Sequence, residues 1–365
     1  MIDVLIVGGG IAGASLGAEI AGAVKTVLVE AESLCGVHST GRSAAFWLES
    51  YGGPEVAQLS RASHGLLAAP PADFAETAFL TRRGAIHLDS SGASTAFDSL
   101  PESVATRPLD RGELEALIPG LRPQWRSGRL EDGCADIDVA ALHGAYLRQF
   151  RRRGGEIRTG AGLVSARSAG GRWIISLSDG SQLAAATIVN AAGAWADGVA
   201  VAAGIAPIGI MPKRRTMVQL RVGQGGLRAM PLVIDSAGQF YFKGEGDRTI
   251  WLSPHDEIDA TAGDANPDEL DVATAIDRFE QVVDWPVEAV ERSWAGLRSF
   301  APDRLPLFGF DPAQAGFFWC AGQGGFGIQT APAAARLAAA LLLGTTPDDS
   351  VAAIDPATFS PARFA

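Results

Sequence analysis

The strongest constraint on the fold is a glycine-rich segment that directly follows a short apolar run at residues 3–7. The run reads D-V-L-I-V, which is typical of a strand buried on both faces of a parallel sheet. The next residues read G-G-G-I-A-G and fit the pattern G-x-G-x-x-G, with Gly8, Gly10 and Gly13 as the fixed glycines. Such glycines permit a tight turn, close backbone approach to a pyrophosphate, and close packing of helix on strand. The start of the chain therefore predicts the first strand, turn and helix of a Rossmann-like unit.

The residues after the glycines complete this unit. A helix of small residues is predicted from residue 11 to about residue 23, and a second parallel strand at residues 26–29 ends at Glu30. The helix N-terminus would direct free N–H groups and a partial positive charge at phosphates. Glu30 could accept hydrogen bonds from ribose hydroxyls. A bare glycine pattern can be a plain turn, but the complete unit predicts a dinucleotide site, without separating FAD from NAD.

Length and composition restrict the class of protein. A chain of 365 residues is long enough for two domains, and its net charge of −11 argues against a nucleic-acid surface. The three cysteines stand far apart, which indicates neither a disulfide framework nor a zinc site. The N-terminus lacks the basic region of a signal peptide, and the apolar run at 331–343 is too short to span a bilayer. We therefore expect a cytoplasmic protein without a transmembrane segment.

Four segments spread over the chain carry a resemblance to a known family. Beyond the N-terminal unit they are HSTGRSAA at 38–45, TIVNAAGAW at 187–195, and a C-terminal pair, GLRSFAPD at 296–303 and GQGGFGIQT at 322–330. With these motifs the chain resembles the FAD-dependent flavoproteins of the glycine oxidase, sarcosine oxidase and D-amino-acid oxidase group. The resemblance implies FAD rather than NAD as the cofactor.

The resemblance is strongest to the bacterial D-arginine dehydrogenases, which share PKRR at 212–215 and WAGLRSF at 294–300. It implies an α/β fold (α+β overall), in which a discontinuous Rossmann-like FAD-binding domain is interleaved with an antiparallel-sheet substrate domain. The expected FAD domain comprises residues 1–75, 135–210 and 296–365, and the substrate domain 76–134 and 211–295. Runs with strand character support the second assignment. They lie at 84–88, 216–222, 239–243 and 249–253.

The resemblance also implies which residues contact FAD, and we expect the cofactor to be non-covalent because Cys320 lies in an apolar strand-like run. The expected contacts are Gly8, Gly10, Ile11, Ala12, Gly13, Glu30, Ala31, Ser39, Thr40, Arg42, Ser43, Ala44, Val164, Ala192, Gly193, Trp195, Gly296, Gly324, Gly325, Phe326, Gly327, Ile328, Gln329 and Thr330.

Four residues are candidates for the chemistry by the same resemblance. An amino-acid substrate needs its carboxylate fixed, and the planar guanidinium of arginine matches a carboxylate in two hydrogen bonds. Arg298 and Arg214 are the candidates for that task, although either could instead form a structural ion pair. Tyr241 and Tyr51 map onto substrate-contacting tyrosines, although both could be ordinary core aromatics. No side chain is required as a strong base, and His87 more simply belongs to a strand surface.

The side-chain pocket departs from the arginine dehydrogenases. At the positions where those enzymes hold a guanidinium stand Phe46, Leu48 and Ala85, with Gln329 as a further pocket residue. A buried substrate cation would be left unpaired there, at a cost of several kcal/mol. The sequence therefore predicts oxidation of a neutral or hydrophobic D-amino acid by hydride transfer to flavin N5, giving an imino acid and then a 2-oxo acid and ammonia.

Two alternatives stay open. A secondary amine, such as an N-methyl amino acid, sarcosine or proline, could be the substrate of the same fold. A flavin-binding or electron-transfer subunit without amine turnover is an alternative of another class, although Arg298 and Tyr241 argue against it. The partners expected are a small-molecule amine and an electron acceptor that is either oxygen or a quinone-like compound.

Overall fold

The computed structural model describes residues 1–93 and 95–365, in which strands and helices alternate along the chain. The strands are β1 Ile2–Val7, β2 Thr26–Val29, β3 Phe46–Trp47, β4 Leu80–Arg82, β5 Ala85–Asp89, β6 Arg107–Leu109, β7 Ser127–Glu131, β8 Ala135–Ile137, β9 Glu156–Arg158, β10 Leu163–Ala169, β11 Arg172–Leu177, β12 Gln182–Asn190, β13 Met211–Val222, β14 Leu232–Asp235, β15 Tyr241–Gly244, β16 Thr249–Ser253, β17 Ile258–Asp259, β18 Val287–Phe300, β19 Leu307–Phe310, β20 Phe317–Ala321 and β21 Gln323–Gly324. The helices are α1 Ile11–Ile20, α2 Gly53–Ala68, α3 Arg111–Leu117, α4 Val139–Arg152, α5 Ala196–Ala202, α6 Glu269–Glu280 and α7 Gly327–Leu343.

The first sheet is the predicted Rossmann-like layer. Strands β9, β2, β1, β12 and β20 lie side by side and are all parallel. Strand β1 is buried on both faces because Val4 and Ile6 join a core with residues of α1, α4 and α7, whereas Leu5 and Val7 join a second core that includes α5. This arrangement explains why the strand is continuously apolar. It brings the carboxyl ends of β1, β2 and β12 to one edge.

The second sheet is the predicted antiparallel layer, with strand order β21-β18-β13-β16-β15-β14-β5-β7-β6 and β17 added to β13. All four predicted strand runs are found in it, as β5, β15, β16 and part of β13. One pair, β14 with β5, is parallel and departs from the antiparallel expectation. The combination of a Rossmann-like sheet with a mainly antiparallel sheet confirms the predicted fold class.

A third, small sheet consists of β3, β8 and β4 in that order. The expected domain boundary between residues 295 and 296 falls inside β18, which runs through it as one strand of the second sheet. Because one strand crosses this boundary, the division of the chain into an FAD domain and a substrate domain stays a prediction.

The apolar run at 331–343 forms most of α7, and many of its side chains are buried. Across the described ranges 1–93 and 95–365, no helix is both long enough and apolar enough to cross a membrane.

Candidate functional site

A cavity opens where the carboxyl edge of the first sheet meets the second sheet. Most of the residues expected to contact FAD line it. They are Gly8, Gly10, Ile11, Ala12, Glu30, Ala31, Ser39, Thr40, Arg42, Ser43, Ala44, Ala192, Gly193, Trp195, Gly296, Gly324, Gly325, Gly327 and Ile328. Segments more than 300 positions apart in the chain thus converge on one space, as the dispersed motifs predict.

Five expected cofactor residues do not line the cavity. Gly13 lies behind it, where a Cβ would come within 2.0 Å of the Gly8 carbonyl oxygen, so its role is the packing of α1 on β1. Phe326, Gln329 and Thr330 point into the interior. Val164 is 58% exposed, and its neighbours Gly162 and Leu163 line the cavity instead. The register of β10 shifts between Leu163 and Ser165, and this bulge turns the Val164 side chain outward.

The glycine-rich turn leaves no room for a side chain at Gly8. Gly8 has φ +109°, and a Cβ on it would lie 2.4 Å from the Ala191 carbonyl oxygen. The Ile11 amide donates to the Thr40 hydroxyl at 3.0 Å, which ties the start of α1 to the HSTGRSAA segment. The backbone therefore comes close to the cavity at the start of α1, where an anion is favoured.

Glu30 fixes the loops at the end of β2. Its two carboxylate oxygens accept hydrogen bonds from the Gly9 amide at 2.8 Å and the Glu32 amide at 2.9 Å. Each oxygen keeps a second lone pair for a ribose hydroxyl. The position of Glu30 in the cavity wall agrees with the role expected of it in dinucleotide binding.

The charged side chains of the cavity wall favour an anionic ligand. Among the lining residues of the described chain, Glu30 is the only acid, whereas Arg42, Arg215 and Arg298 are cations. His38 also lines the cavity: its Nε2 lies 2.8 Å from the Glu32 carboxylate, and its Nδ1 is buried without a hydrogen-bond partner in the part of the chain that the structure describes. A molecule with a diphosphate and a polar edge fits this wall, as FAD would require.

Arg298 lines the cavity and is held by Tyr51, whose phenolic oxygen accepts from Nη1 at 2.5 Å. Within residues 1–93 and 95–365, Arg298 forms no ion pair. Burial alone would lower its pKa, but the phenols of Tyr51 and Tyr241 outweigh this and raise it. Burial would conversely raise the pKa of Tyr51, but Arg298 and Arg215 outweigh this and hold it below its usual value. Arg298 is thus a permanent cation available to a carboxylate.

Of the two neighbouring arginines on β13, Arg215 and not Arg214 lines the cavity. Arg215 is 3% exposed and lines the cavity, whereas Arg214 pairs with Asp271 at 2.5 Å and does not line it. Successive side chains of a strand point to opposite faces, so only one of the two neighbours on β13 can face the cavity. The structure therefore places Arg215 rather than the predicted Arg214 in the cavity wall.

Arg215 has unused hydrogen-bonding capacity. Its Nε donates to the Asp256 carbonyl oxygen at 2.6 Å and its Nη2 to the Glu257 carboxylate at 3.1 Å. Its Nη1 is buried and has no partner among the described residues. A buried guanidinium nitrogen without a partner costs free energy unless a ligand supplies the acceptor. Arg215 and Arg298 thus both line the cavity, and Arg215 keeps a guanidinium nitrogen without a partner among the described residues.

Four aromatic side chains stand next to these arginines and are called the aromatic group: Phe46, Tyr51, Tyr241 and His255. Neighbouring ring centroids lie 5.5–6.4 Å apart, and each ring adjoins two others. Tyr241 itself lines the cavity, whereas Tyr51 reaches the site through Arg298. The sequence predicted three of these residues and missed His255.

His255 lies just after β16 with φ +56°, a conformation uncommon for a residue other than glycine. Its Nδ1 donates to the Gly238 carbonyl oxygen at 2.7 Å, which leaves Nε2 as an acceptor in the neutral ring. Burial, with help from Arg215 and Arg298, lowers its pKa to about 3. No sequence motif marked His255, since only the turn after β16 brings it to the tyrosines.

His87, the other histidine of this sheet, is a structural residue. Its Nε2 lies 3.0 Å from the Glu131 carboxylate, both side chains are buried, and neither lines the cavity.

The histidine at position 255 makes a testable contribution to stability. Its pKa drops from 6.5 to about 3 on folding, so between these values the unfolded chain binds the extra proton and stability falls as the pH falls. We expect this group to cost about 2 kcal/mol of unfolding free energy between pH 7 and pH 5. Urea titrations at both pH values should show a smaller loss for H255N, because Asn tolerates positive φ. An equal loss in both proteins would contradict the assignment.

The predicted side-chain pocket is an apolar cluster beside the cavity. Leu48 and Ala85 are buried in it and Phe46 packs against it, but none of the three lines the cavity. Ala44, Met217 and Tyr241 belong to the same cluster and form its wall towards the cavity. This finding shifts the expected side-chain contacts towards Met217 and Tyr241.

Gln329 positions the backbone instead of contacting the cavity. Its amide oxygen accepts from the Leu48 amide at 3.2 Å, and its amide nitrogen donates to the Leu48 carbonyl at 3.1 Å. It also bonds the Ser60 hydroxyl at 2.7 Å. Gln329 thereby fastens the segment that carries Tyr51 to the start of α7.

Comparisons with known proteins agree with this geometry. The sequence model of one protein family, described as "DAO: FAD dependent oxidoreductase", matches residues 3–341. The FAD-dependent oxidoreductase domain-containing protein 1 of Xenopus laevis is 28% identical over 198 residues, which are 48% of this chain and only 38% of that protein. A glycine oxidase of Pseudomonas aeruginosa is 25% identical over 70% of this chain and 69% of its own length. The crystal structure of L-proline dehydrogenase from P. horikoshii superposes with a TM-score of 0.85 at 19% identity, covering 100% of this chain and 97% of that one.

Proposed function

The chain belongs to the DAO family of FAD-dependent oxidoreductases, and we propose that it oxidises a neutral or hydrophobic D-amino acid to the imino acid, which water hydrolyses to a 2-oxo acid and ammonia. The observation that carries this proposal is the pair Arg215 and Arg298 in the cavity wall. Arg215 offers an unpartnered Nη1 and Arg298 has no acid partner among the described residues, so both can bind a substrate carboxylate.

FAD is the cofactor of the family, and when bound it supplies the acceptor for the hydride that leaves the substrate carbon. We propose that it is held without a covalent bond, because Cys320 is buried and does not line the cavity. Gly8, Gly10 and the start of α1 would hold its pyrophosphate, and Glu30 its ribose.

The charges of the site prepare the amine for oxidation. Loss of a hydride from carbon requires a free lone pair on nitrogen, hence a neutral amine. Arg215, Arg298 and a histidine that stays neutral down to about pH 3 disfavour another cation in the same space. The substrate ammonium therefore loses its proton more readily in the site than in water, and no strongly basic side chain is needed.

The surroundings of the apolar cluster favour an uncharged substrate side chain. Two acids stand across the strands from its members, Glu131 opposite Ala85 and Asp136 opposite Phe46. Glu131 is already bonded to His87 and to the Ser50 amide, and Asp136 to Arg83 and Lys243. Neither carboxylate is left over for a substrate cation, so an arginine or lysine side chain would be buried unpaired.

A secondary amine is the second candidate. The aromatic group offers ring faces that could pack against an N-alkyl substituent beside the carboxylate site. The names of two similar proteins, a glycine oxidase and an L-proline dehydrogenase, support amine oxidation in general and leave both candidates open.

Anaerobic bleaching of the flavin tests both candidates in one series. We expect D-Leu, D-Met and D-Phe to reduce the FAD-loaded protein faster than D-Arg and D-Lys, because a cationic side chain pays a desolvation cost of several kcal/mol in an apolar pocket. Sarcosine and proline in the same series test the secondary amine. Faster bleaching by D-Arg or D-Lys would refute the neutral-pocket argument. Repeating the reoxidation step with oxygen or a quinone then identifies the electron acceptor.

A further inference from the structure

A short segment after β16 controls the charge around Arg215. Besides His255, it contains Asp256 and Glu257. Asp256 accepts from the Thr216 amide at 2.8 Å and the Thr216 hydroxyl at 2.9 Å, and its Oδ1 also forms a longer ion pair with the Arg215 Nε at 3.9 Å. Glu257 is the acid that bonds the Arg215 guanidinium through Nη2, at 3.1 Å.

The Glu257 carboxylate forms ion pairs with two arginines. On one side it bonds Arg215, which is 4% exposed at the side chain and lines the cavity. On the other side it bonds Arg304 at 2.8 and 3.0 Å, and Arg304 is 49% exposed. A buried cation facing the cavity is therefore connected through one carboxylate to a cation at the surface.

This arrangement sets how many negative charges the cavity can accept. Arg215 and Arg298 would present two cations to a substrate if nothing compensated them. Asp256 and Glu257 together compensate Arg215 and Arg304, whereas Arg298 has only the phenol of Tyr51 as its partner among the described residues. One carboxylate of a ligand then balances the site, and a second would face Glu257 at close range.

We propose that Glu257 is a specificity-determining residue that acts through Arg215 and makes the cavity select a monocarboxylate over a dicarboxylate. The inference rests on the proposed function, because it takes the arginine pair as the carboxylate site. Glu257 does not line the cavity and is a positioning residue rather than a catalytic one. Arg304 opposes this effect of Glu257. Because Arg304 is a second cation bonded to the same carboxylate, it reduces the share of the Glu257 charge that offsets Arg215.

Two substitutions shift the balance in opposite directions. E257Q keeps an oxygen for the Arg215 Nη2 and removes the charge, so anions should bind more tightly. R304Q removes the competing cation, so anions should bind more weakly. The exposed pair of Glu288 with Arg248 offers a matched control, E288Q, because it is a Glu–Arg pair whose members do not line the cavity.

The experiment measures dissociation constants of acetate and malonate from changes in the flavin absorbance of the FAD-loaded proteins. Removing one negative charge at a screened distance of several ångströms should tighten the binding of each ligand carboxylate about fivefold. For E257Q we therefore expect acetate, with one carboxylate, to bind about fivefold more tightly, and malonate, with two, about 25-fold more tightly. R304Q should weaken both ligands, malonate more than acetate, and E288Q should bind like the wild type. Added salt should reduce these differences.

The ratio of the two constants separates this proposal from a structural role of Glu257. A general loosening of the site would weaken both ligands and leave the ratio unchanged, and such a result overturns the proposal. If E257Q loses FAD, the R304Q variant alone tests the proposal. The proposal is overturned if R304Q prefers malonate over acetate as much as the wild type does, or more. A wild-type protein that binds neither anion and is bleached by no amine refutes the proposed function, and this inference with it.

Discussion

Replacement of Arg298 by methionine is expected to remove most of the oxidation of any carboxylate-bearing amine while FAD stays bound. Arg298 lines the cavity and has no ion-pair partner among the described residues, so its charge is available to the ligand. Loss of one partner of a buried, hydrogen-bonded charge pair costs about 2–5 kcal/mol. That cost corresponds to a reduction of kcat/KM by roughly 30- to several-thousandfold.

The matched control is R214M. Arg214 lies on the same strand as the cavity residue Arg215, but it pairs with Asp271 and does not line the cavity. Its substitution should change kcat/KM little, although it should lower stability because Asp271 is left without its partner. Steady-state kinetics with the best substrate of the bleaching series, together with FAD content, measure both variants. Equal losses in R298M and R214M would contradict the role given to Arg298.

The sequence located the N-terminal part of the cavity wall well because that part is local. The strand, the glycines, α1, β2 and Glu30 occupy one continuous stretch, and each residue type has one physical task in it. Arg298 could also be located, because it stands inside a long motif with fixed neighbours on β18. When a motif determines both the strand on which a residue lies and its position along that strand, the face to which its side chain points can be predicted as well.

The substrate half was harder because it depends on register and on contacts between distant segments. Arg214 and Arg215 are equally basic neighbours, and only the pairing of β13 with β18 decides which of them faces the cavity. The Val164 side chain lies outside the cavity wall because of a bulge that leaves no compositional mark. His255 reaches Tyr51 across about 200 residues of sequence and depends on a positive φ. None of these facts follows from local propensity.

The Gly8→Ala variant is expected to lose much of its stability and its FAD. At φ +109° an alanine is strained by about 1–3 kcal/mol, and its methyl group would lie 2.4 Å from the Ala191 carbonyl oxygen. Both the strain and the contact involve backbone, which cannot move aside as a flexible side chain can. We expect a total cost of at least about 3 kcal/mol.

Gly204→Ala supplies the control for this prediction, because Gly204 also has positive φ, at +73°, but a Cβ there meets no atom of residues 1–93 and 95–365 within 4 Å. Its cost should stay at about 1–2 kcal/mol, the ordinary penalty of a left-handed alanine. Urea unfolding gives both free energies, and flavin absorbance after desalting gives the retained FAD. If G8A were no less stable than G204A, the close approach of Gly8 to the Ala191 carbonyl oxygen just after β12 would not be what requires glycine at position 8. If G8A instead unfolds early while G204A keeps its FAD, the turn after β1 requires glycine because the neighbouring strand leaves no room for a side chain.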